Sequence, residues 1–253
     1  MTEISTVAFV GSGKVASVLS DIFIGKGIVI TGVSSRNLNK GKLLADKLNC
    51  SFIEDHKSLE ADLIIIAIND DSVKTIVEQI ESTKRIAYTA GSIDLSEINH
   101  PNCIVFYPLQ TFTEEKNLQP KDIPILLEAK DPTNLNLLEN FCTKLNFQFN
   151  ICSSIERKQY HLAAVFINNF VNHLVFLAKE ETDNRNLQWN ILQPLLEETC
   201  NKLLNQDLYS GQTGPAKRND LRVISEQKKM LSDYKLEIYE AITKSIIETY
   251  KND

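Results

Sequence analysis

Positive charge, cysteine pairs and long apolar runs are scarce in this sequence of 253 residues. The formal net charge is −6, and Lys and Arg are spread along the chain, so we expect no nucleic-acid partner and no membrane partner. The five cysteines form no Cys-x-x-Cys pair and no even set, which argues against a disulfide framework. We therefore expect a reducing, cytoplasmic location and no metal site.

The longest apolar stretch, residues 162–178, is interrupted by polar side chains. These are Asn168, Asn169, Asn172 and His173. Their polar groups would be costly to place in lipid. The stretch therefore predicts a buried helix in a globular domain rather than a membrane span.

A glycine-containing turn follows the first predicted strand. β-forming residues from Val7 to Val10 lead into Gly11-x-Gly13-x-x-Ala16, and apolar residues then recur with helical spacing. Gly11 permits a tight turn, Gly13 lets a pyrophosphate approach the backbone, and the free N–H groups of the helix start favour an anion. The pattern predicts a dinucleotide site with these turn residues: Gly11, Ser12, Gly13, Lys14 and Val15.

The second predicted strand, residues 27–34, ends in two serines and an arginine. Here, about 20 residues beyond the glycines, such folds contact the adenosine ribose, and NAD sites usually place an acid there. Hydroxyls and a guanidinium would instead hold a 2′-phosphate. We predict Ser34, Ser35 and Arg36 as cofactor contacts and NADP, rather than NAD, as the cofactor. The alternative is that Arg36 only ends a strand in solvent.

Three later strands are also followed by polar side chains. The runs 61–68, 85–89 and 102–106 precede Asn69, Ser92 and the string Tyr-Pro-Leu-Gln-Thr-Phe. Ligands of α/β sheets bind at the carboxyl ends of the strands. We predict cofactor contacts from Asn69 and Ser92, although helix capping explains Asn69 equally well. The predicted substrate contacts of this region are Tyr107, Gln110 and Thr111.

Strands alternate with helices over residues 1–152 and then stop. The alternation predicts an α/β fold, a Rossmann domain with a doubly wound, mostly parallel sheet. From residue 153 the apolar spacing is helical, with long helices near 155–181, 189–205 and 216–250. We predict an all-α domain over residues 153–253. The apolar face of its last helix suits a core or a homodimer interface.

The first helix of this second half carries an ordered set of polar residues. At about 100° per residue, His161, Asn168 and Asn172 fall close to one line, with Arg157 just upstream. Histidine is the natural proton donor near pH 7, and an adjacent amide would orient a carbonyl or imine. We predict His161 as general acid/base and Asn168 as the orienting amide. A core histidine with satisfied hydrogen bonds is the alternative.

Residues 210–220 form a second motif-like segment. Thr213 and Pro215 suit the cap and first position of a helix, with Gly214 as a sharp turn. Capping does not explain Arg218 and Asp220, which we predict as substrate contacts, surface ion pairing being the alternative.

Four segments together resemble a known family. They are Gly11-x-Gly13-x-x-Ala16, Tyr-Pro-Leu-Gln-Thr-Phe at 107–112, Tyr160-His161 with Asn168-Asn169, and Gly214-Pro-Ala-Lys-Arg218-x-Asp220. Over essentially its whole length the chain is similar to Rossmann-like proteins with a helical C-terminal domain of unknown function. Those proteins are a branch of the pyrroline carboxylate reductase and hydroxyacid dehydrogenase superfamily.

The resemblance implies a cofactor-binding fold and leaves the reaction open. The family usually has His where this chain has Tyr107. If that histidine transfers a proton in the family, the role is either lost in this chain or moved to His161. Hydroxyacid dehydrogenases use a Lys followed four residues on by Asn in this helix. Here the fourth residue after His161 is Val165, so their substrates and mechanism do not transfer.

Two functions follow from these observations. The first is an NADP-dependent oxidoreductase that moves a hydride between the nicotinamide and a small C=O or C=N substrate in a cleft between the domains. The second is a dinucleotide-binding sensor or scaffold without hydride chemistry. A deazaflavin-linked reductase would share the fold.

Overall fold

The computed structural model describes residues 3–113 and 118–251. Its contacts divide the chain into two compact units, Met1–Asn169 and Phe170–Asp253. The last strand ends at Ile151, so strands give way to helices where the sequence indicates. The division between the compact units lies further on, inside a helix, and a domain boundary at residues 152–153 stays a prediction.

The first unit alternates strands and helices. In chain order they are β1 (Thr6–Val10), α1 (Lys14–Gly25), β2 (Val29–Ser34), α2 (Leu38–Leu48), β3 (Ser51–Phe52), β4 (Leu63–Ile66), α3 (Asp70–Val77), β5 (Ile86–Tyr88), β6 (Cys103–Pro108), β7 (Ile125–Ala129), α4 (Pro132–Leu145), β8 (Phe149–Ile151) and α5 (Ser154–Ala164).

The strands form one eight-stranded sheet in the order β3-β2-β1-β4-β5-β6-β7-β8. All neighbouring strands are parallel except β6 and β7, which are antiparallel. This arrangement confirms the doubly wound, mostly parallel sheet. The carboxyl ends of β1, β2, β4, β5 and β6 consequently meet at one edge, where ligands of such sheets bind.

Apolar side chains cover both faces of the sheet. The four residues of β4, Leu63–Ile66, are completely buried, as expected for a strand in the middle of a parallel sheet. One face packs a cluster of five phenylalanines against α1 and α4. These are Phe9, Phe23, Phe106, Phe141 and Phe147. The core therefore holds the strand ends in fixed positions.

A continuous helix follows the sheet. It comprises α5, a π-helical segment at Val165–Phe170, and α6 (Val171–Asp183). A π-helix bonds i to i+5 and winds more residues into each turn than an α-helix. The predicted line through His161, Asn168 and Asn172 assumed one constant α-helical turn, so the π segment breaks it.

The same helix is mostly exposed in the single chain, which corrects the expectation that it lies buried. Its buried residues are Ser154, Arg157, Leu177 and Thr182. Over 30 residues, Ser154–Asp183, it is long and apolar enough to span a membrane by length and composition alone. The mean hydropathy reaches 1.4 over an 18-residue window of this helix.

The second unit is helical, as predicted. Besides α6 it contains α7 (Gln193–Asn205), α8 (Leu221–Lys228) and α9 (Asp233–Tyr250). The helix expected to begin at Pro215 begins instead at Leu221, because Asp220 is its N-cap and accepts from the Val223 N–H at 3.2 Å. Thr213 is therefore not the cap of that helix.

Candidate active site

Gly11 joins three strand ends at the carboxyl edge of the sheet. Its N–H donates to the Ser34 carbonyl at 2.8 Å, which ties the end of β1 to the end of β2. Its φ is +115°, and a Cβ at this position would lie 2.1 Å from the Ala67 carbonyl oxygen just after β4. Only glycine fits both the left-handed backbone and this close approach.

Gly13 has a different task at the start of α1. It is the N-cap, no side chain caps the helix start, and the first turn contains no acid. A Cβ at Gly13 would have nothing within 4 Å, so the space beside this backbone is open. Free N–H groups beside open space suit a pyrophosphate, so these residues fit a dinucleotide. Lys14 is exposed at the helix start and Val15 is half-buried.

The adenosine end of the predicted site is assembled from two turns. The Ser12 and Ser35 hydroxyls lie 2.8 Å apart, which brings the glycine turn against the end of β2. Arg36 is exposed and makes no ion pair with any described residue. Ser34 differs from its neighbours, because it is 3% exposed and its hydroxyl donates to the Glu54 carbonyl. Ser35 and Arg36 are therefore better placed than Ser34 to meet a ligand.

A second polar group lies where β4 and β5 end. Asn69 is the exposed N-cap of α3, and its side chain makes no capping bond. The Ser92 hydroxyl, beyond β5, donates to the Asp70 carboxylate. Asp70 is not among the predicted site residues, because its place after a buried strand favours a ligand contact and helix capping equally.

The predicted catalytic histidine is paired with a residue predicted to touch substrate. The Tyr107 hydroxyl, at the end of β6, lies 2.9 Å from Nδ1 of His161 on α5. Gly91 lies beneath the pair, and a Cβ there would be 2.8 Å from His161 Nδ1 and 2.9 Å from Tyr107 Cζ. Glycine at position 91 is therefore a condition for this contact.

The surroundings keep the Tyr107 phenol protonated. Burial raises its pKa, the Asp70 carboxylate raises it further, and Arg157 opposes both effects. A protonated hydroxyl can donate to Nδ1 when the imidazole proton is on Nε2, or accept from an Nδ1–H. In either case the contact fixes the orientation of the ring.

Other predicted substrate residues have partners of their own. Gln110 donates to the Asp122 carbonyl at 2.7 Å and accepts from the Thr111 N–H at 2.9 Å, so its amide braces its own loop. Thr111 and Asn168 are exposed. In the second unit, Arg218 is exposed, whereas Asp220 is occupied as a helix cap.

The described part of the chain brings together no set of side chains suited to bind a metal ion. Within residues 3–113 and 118–251, no group of three or more His, Cys, Asp or Glu side chains could hold a metal ion.

Comparison with known proteins agrees with this geometry. Residues 6–88 match the family model described as NADP oxidoreductase coenzyme F420-dependent. Residues 123–246 match a domain of unknown function (DUF2520). A search of functionally curated proteins finds no match.

Solved structures match along the whole chain. A protein from Bacteroides fragilis assigned as an NADP oxidoreductase is 32% identical, with a TM-score of 0.86 over 97% of this chain and 98% of that one. A protein from Thermotoga maritima is 19% identical, with a TM-score of 0.71 over 97% and 98%. A reductive aminase from Aspergillus terreus, solved with NADPH and ethyl-5-oxohexanoate, is 11% identical, with a TM-score of 0.70 over 98% and 94%.

The last two similarities show the fold alone. The match to the Bacteroides fragilis protein exceeds what a shared fold requires, and it covers both units. Together with the two family models it supports an oxidoreductase that uses a nicotinamide dinucleotide. The chain belongs to the family of NADP oxidoreductases that join a Rossmann domain to this helical domain of unknown function.

Proposed function

We propose that the protein is an NADP-dependent oxidoreductase acting on a small C=O or C=N substrate, with His161 as its proton donor. The observation that carries this proposal is the 2.9 Å contact between the Tyr107 hydroxyl and His161 Nδ1 at the carboxyl edge of the sheet. A paired imidazole at a dinucleotide-binding edge suits proton transfer to a reduced substrate. The location of the substrate between the two halves of the chain stays a prediction from sequence.

The cofactor proposal is NADP rather than NAD. Bound NADPH would supply the hydride. The N–H groups at the start of α1 would hold the pyrophosphate, and Ser35 with Arg36 would hold a 2′-phosphate. An exposed guanidinium without an ion-pair partner among the described residues supports this choice.

The proposed proton transfer uses the tautomer of His161 that carries its proton on Nε2. In that tautomer the Tyr107 hydroxyl donates to Nδ1, and the Nε2 proton is left for the substrate. His161 donates this proton to the substrate oxygen or nitrogen as the adjacent carbon is reduced, and Tyr107 keeps the ring in place. In the reverse direction Nε2 accepts the proton. A role of Asn168 in orienting the substrate stays a prediction.

His161→Ala tests the proposal. NADPH oxidation is followed with a panel of keto acids and cyclic imines, and the variant is expected to lose turnover by about 10²- to 10⁴-fold because the proton donor is gone. NADPH binding, measured by fluorescence titration, is expected to persist. His173→Ala is the matched control, since His173 is exposed and lies on the same continuous helix.

Two results would contradict the proposal. Turnover that survives in His161→Ala removes the catalytic assignment. NADPH binding without oxidation of any panel member by the wild type favours the sensor or scaffold, for which Tyr107 in place of the family's usual histidine is the specific argument.

For location, we propose the reducing cytoplasm. The five cysteines are free thiols in the structure, and three of them are buried, which agrees with a reducing compartment.

A further inference from the structure

Polar side chains, rather than apolar ones, attach helix α5 to the sheet. The buried residues of this helix are Ser154 and Arg157, while Ile155 is 67% exposed and Leu162 is 59% exposed. Arg157 is fully buried. A buried guanidinium is strongly unfavourable without partners, so its contacts decide where the helix can lie.

The partners of Arg157 come from the sheet and from the loop after β5. Its Nη1 donates to the Glu128 carboxylate on β7. Its Nη2 donates to the Tyr88 hydroxyl at 3.1 Å and to the Ile93 carbonyl. Ser154, one turn earlier, donates to the same Glu128 carboxylate at 2.8 Å. A planar guanidinium held on several sides permits little rotation or sliding of the helix.

These sheet partners and the tyrosine of the site share one face. Tyr88, Val105 and Glu128 lie opposite one another on β5, β6 and β7. Tyr107 follows Val105 by two residues on β6, so its side chain leaves the sheet on the same side. Helix α5 thus contacts two successive rows of side chains on this face of the sheet. The first row contains Tyr88 and Glu128, and the second row contains Tyr107.

The distance between the two contacts along α5 matches the distance between their partners along the sheet. Arg157 bonds at the first row, and His161, four residues later, bonds to Tyr107 at the second row. Four helical residues rise about 6 Å, and two strand residues extend about 6.7 Å. Both contacts therefore belong to one register of the helix on the sheet.

We infer that the Glu128–Arg157 ion pair positions His161 by fixing the register of α5, so that the imidazole meets Tyr107 above Gly91. The inference rests on the function proposed for His161. Glu128 and Arg157 act through the helix and are positioning residues. The sequence placed Arg157 upstream of the histidine, but it gave no sign of Glu128.

A double variant, Glu128→Leu with Arg157→Met, separates an effect on the position of His161 from an effect on the stability of the protein. Replacing both members of a buried ion pair by apolar residues of similar volume is often neutral for stability. We expect the variant to fold with near wild-type stability, while the ring-nitrogen NMR shifts of His161 change because Nδ1 loses its contact with the Tyr107 hydroxyl. With a substrate that the wild type turns over, kcat falls about 10- to 100-fold because the donor is misplaced, and KM for NADPH changes little.

Leu138→Ala is the control for lost stability. Leu138 is fully buried in the core on α4, so its truncation is expected to lower the thermal midpoint of unfolding by several degrees. The His161 shifts should nevertheless remain those of the wild type. Changed shifts in this control would show that the signal reports stability and would overturn the inference.

The remaining outcomes are also decisive. Wild-type His161 shifts in the double variant overturn the inference, and so does failure of the double variant to fold, since the pair would then be a requirement of folding itself. If the shifts respond but the wild type reduces no substrate, the positioning stands and the proposed oxidoreductase function fails.

Discussion

Arg36 is the residue on which the cofactor choice depends. It follows β2 directly, it is exposed, and the adjoining Ser35 hydroxyl lies against Ser12 of the glycine turn. A guanidinium in this place favours a 2′-phosphate, and a carboxylate favours the ribose hydroxyl of NAD.

Reversing the charge at position 36 should therefore change the preference for NADPH over NADH. Arg36→Asp is expected to weaken NADPH binding about tenfold or more, because charge-assisted hydrogen bonds contribute about 1.5–3 kcal/mol. NADH binding should change little, and fluorescence titration measures both. Arg222→Asp, at an exposed position on α8, is the matched control. Equal weakening of both nucleotides, or of neither, would contradict the assignment.

At the scale of elements, the turn between β1 and α1 contains two glycines with separate physical tasks. Gly11 is needed by the fold, because its φ is positive and its hydrogen atoms face the Ala67 carbonyl. Gly13 has an extended backbone, with φ −85° and ψ −177°, that any residue can adopt, and it faces open space. The folded chain therefore sets no steric requirement for glycine at this position, which is consistent with the predicted pyrophosphate contact.

Alanine at each position should separate these tasks. Gly13→Ala is expected to change the free energy of unfolding by no more than about 1 kcal/mol, since the loss of freedom in the unfolded chain is offset by the poorer N-cap that alanine makes. Its methyl group would meet the pyrophosphate, so NADPH affinity falls. Gly11→Ala should lower the thermal midpoint markedly in the absence of cofactor. Unchanged NADPH affinity in Gly13→Ala would show that the nucleotide binds elsewhere.

At the scale of the whole molecule, the helical unit has too little core for an isolated chain. Among the described residues of this unit, the buried apolar side chains are Leu177, Ala216 and Ile224. Large apolar side chains of the same unit are more than half exposed, among them Phe176, Leu187, Ile191, Leu195, Leu203, Leu204 and Leu208. Small units with so few buried groups usually need a partner.

We propose a second copy of the chain as that partner. Closed twofold dimers are the commonest oligomers, and two copies would cover each other's apolar surfaces. Leu204→Glu is expected to shift the sedimentation profile from dimer to monomer, because Leu204 is 82% exposed in the single chain and a buried charge is costly. Leu43→Glu, at a position 69% exposed on α2, should leave the dimer intact. A wild-type monomer at all concentrations would exclude the proposal.

Patterns among neighbouring residues were enough to predict much of the fold. The run Leu63–Ile66, the glycine turn and the change from strands to helices each depend on neighbouring residues, so composition and spacing predicted them. The helix starting at residue 215 and the polar line through His161 were wrong, because the Asp220 cap and the π segment depend on details that spacing does not carry.

The pairs at the candidate site depend on distant parts of the chain. Tyr107 and His161 are 54 residues apart, Asp70 and Ser92 are 22 apart, and Glu128 and Arg157 are 29 apart. Sequence patterns predicted the nucleotide turn because its residues are consecutive and the contacts predicted for it come from its backbone. Which side chains face one another across strand ends follows from sheet order, register and helix placement, and these arise only when the whole first unit has folded.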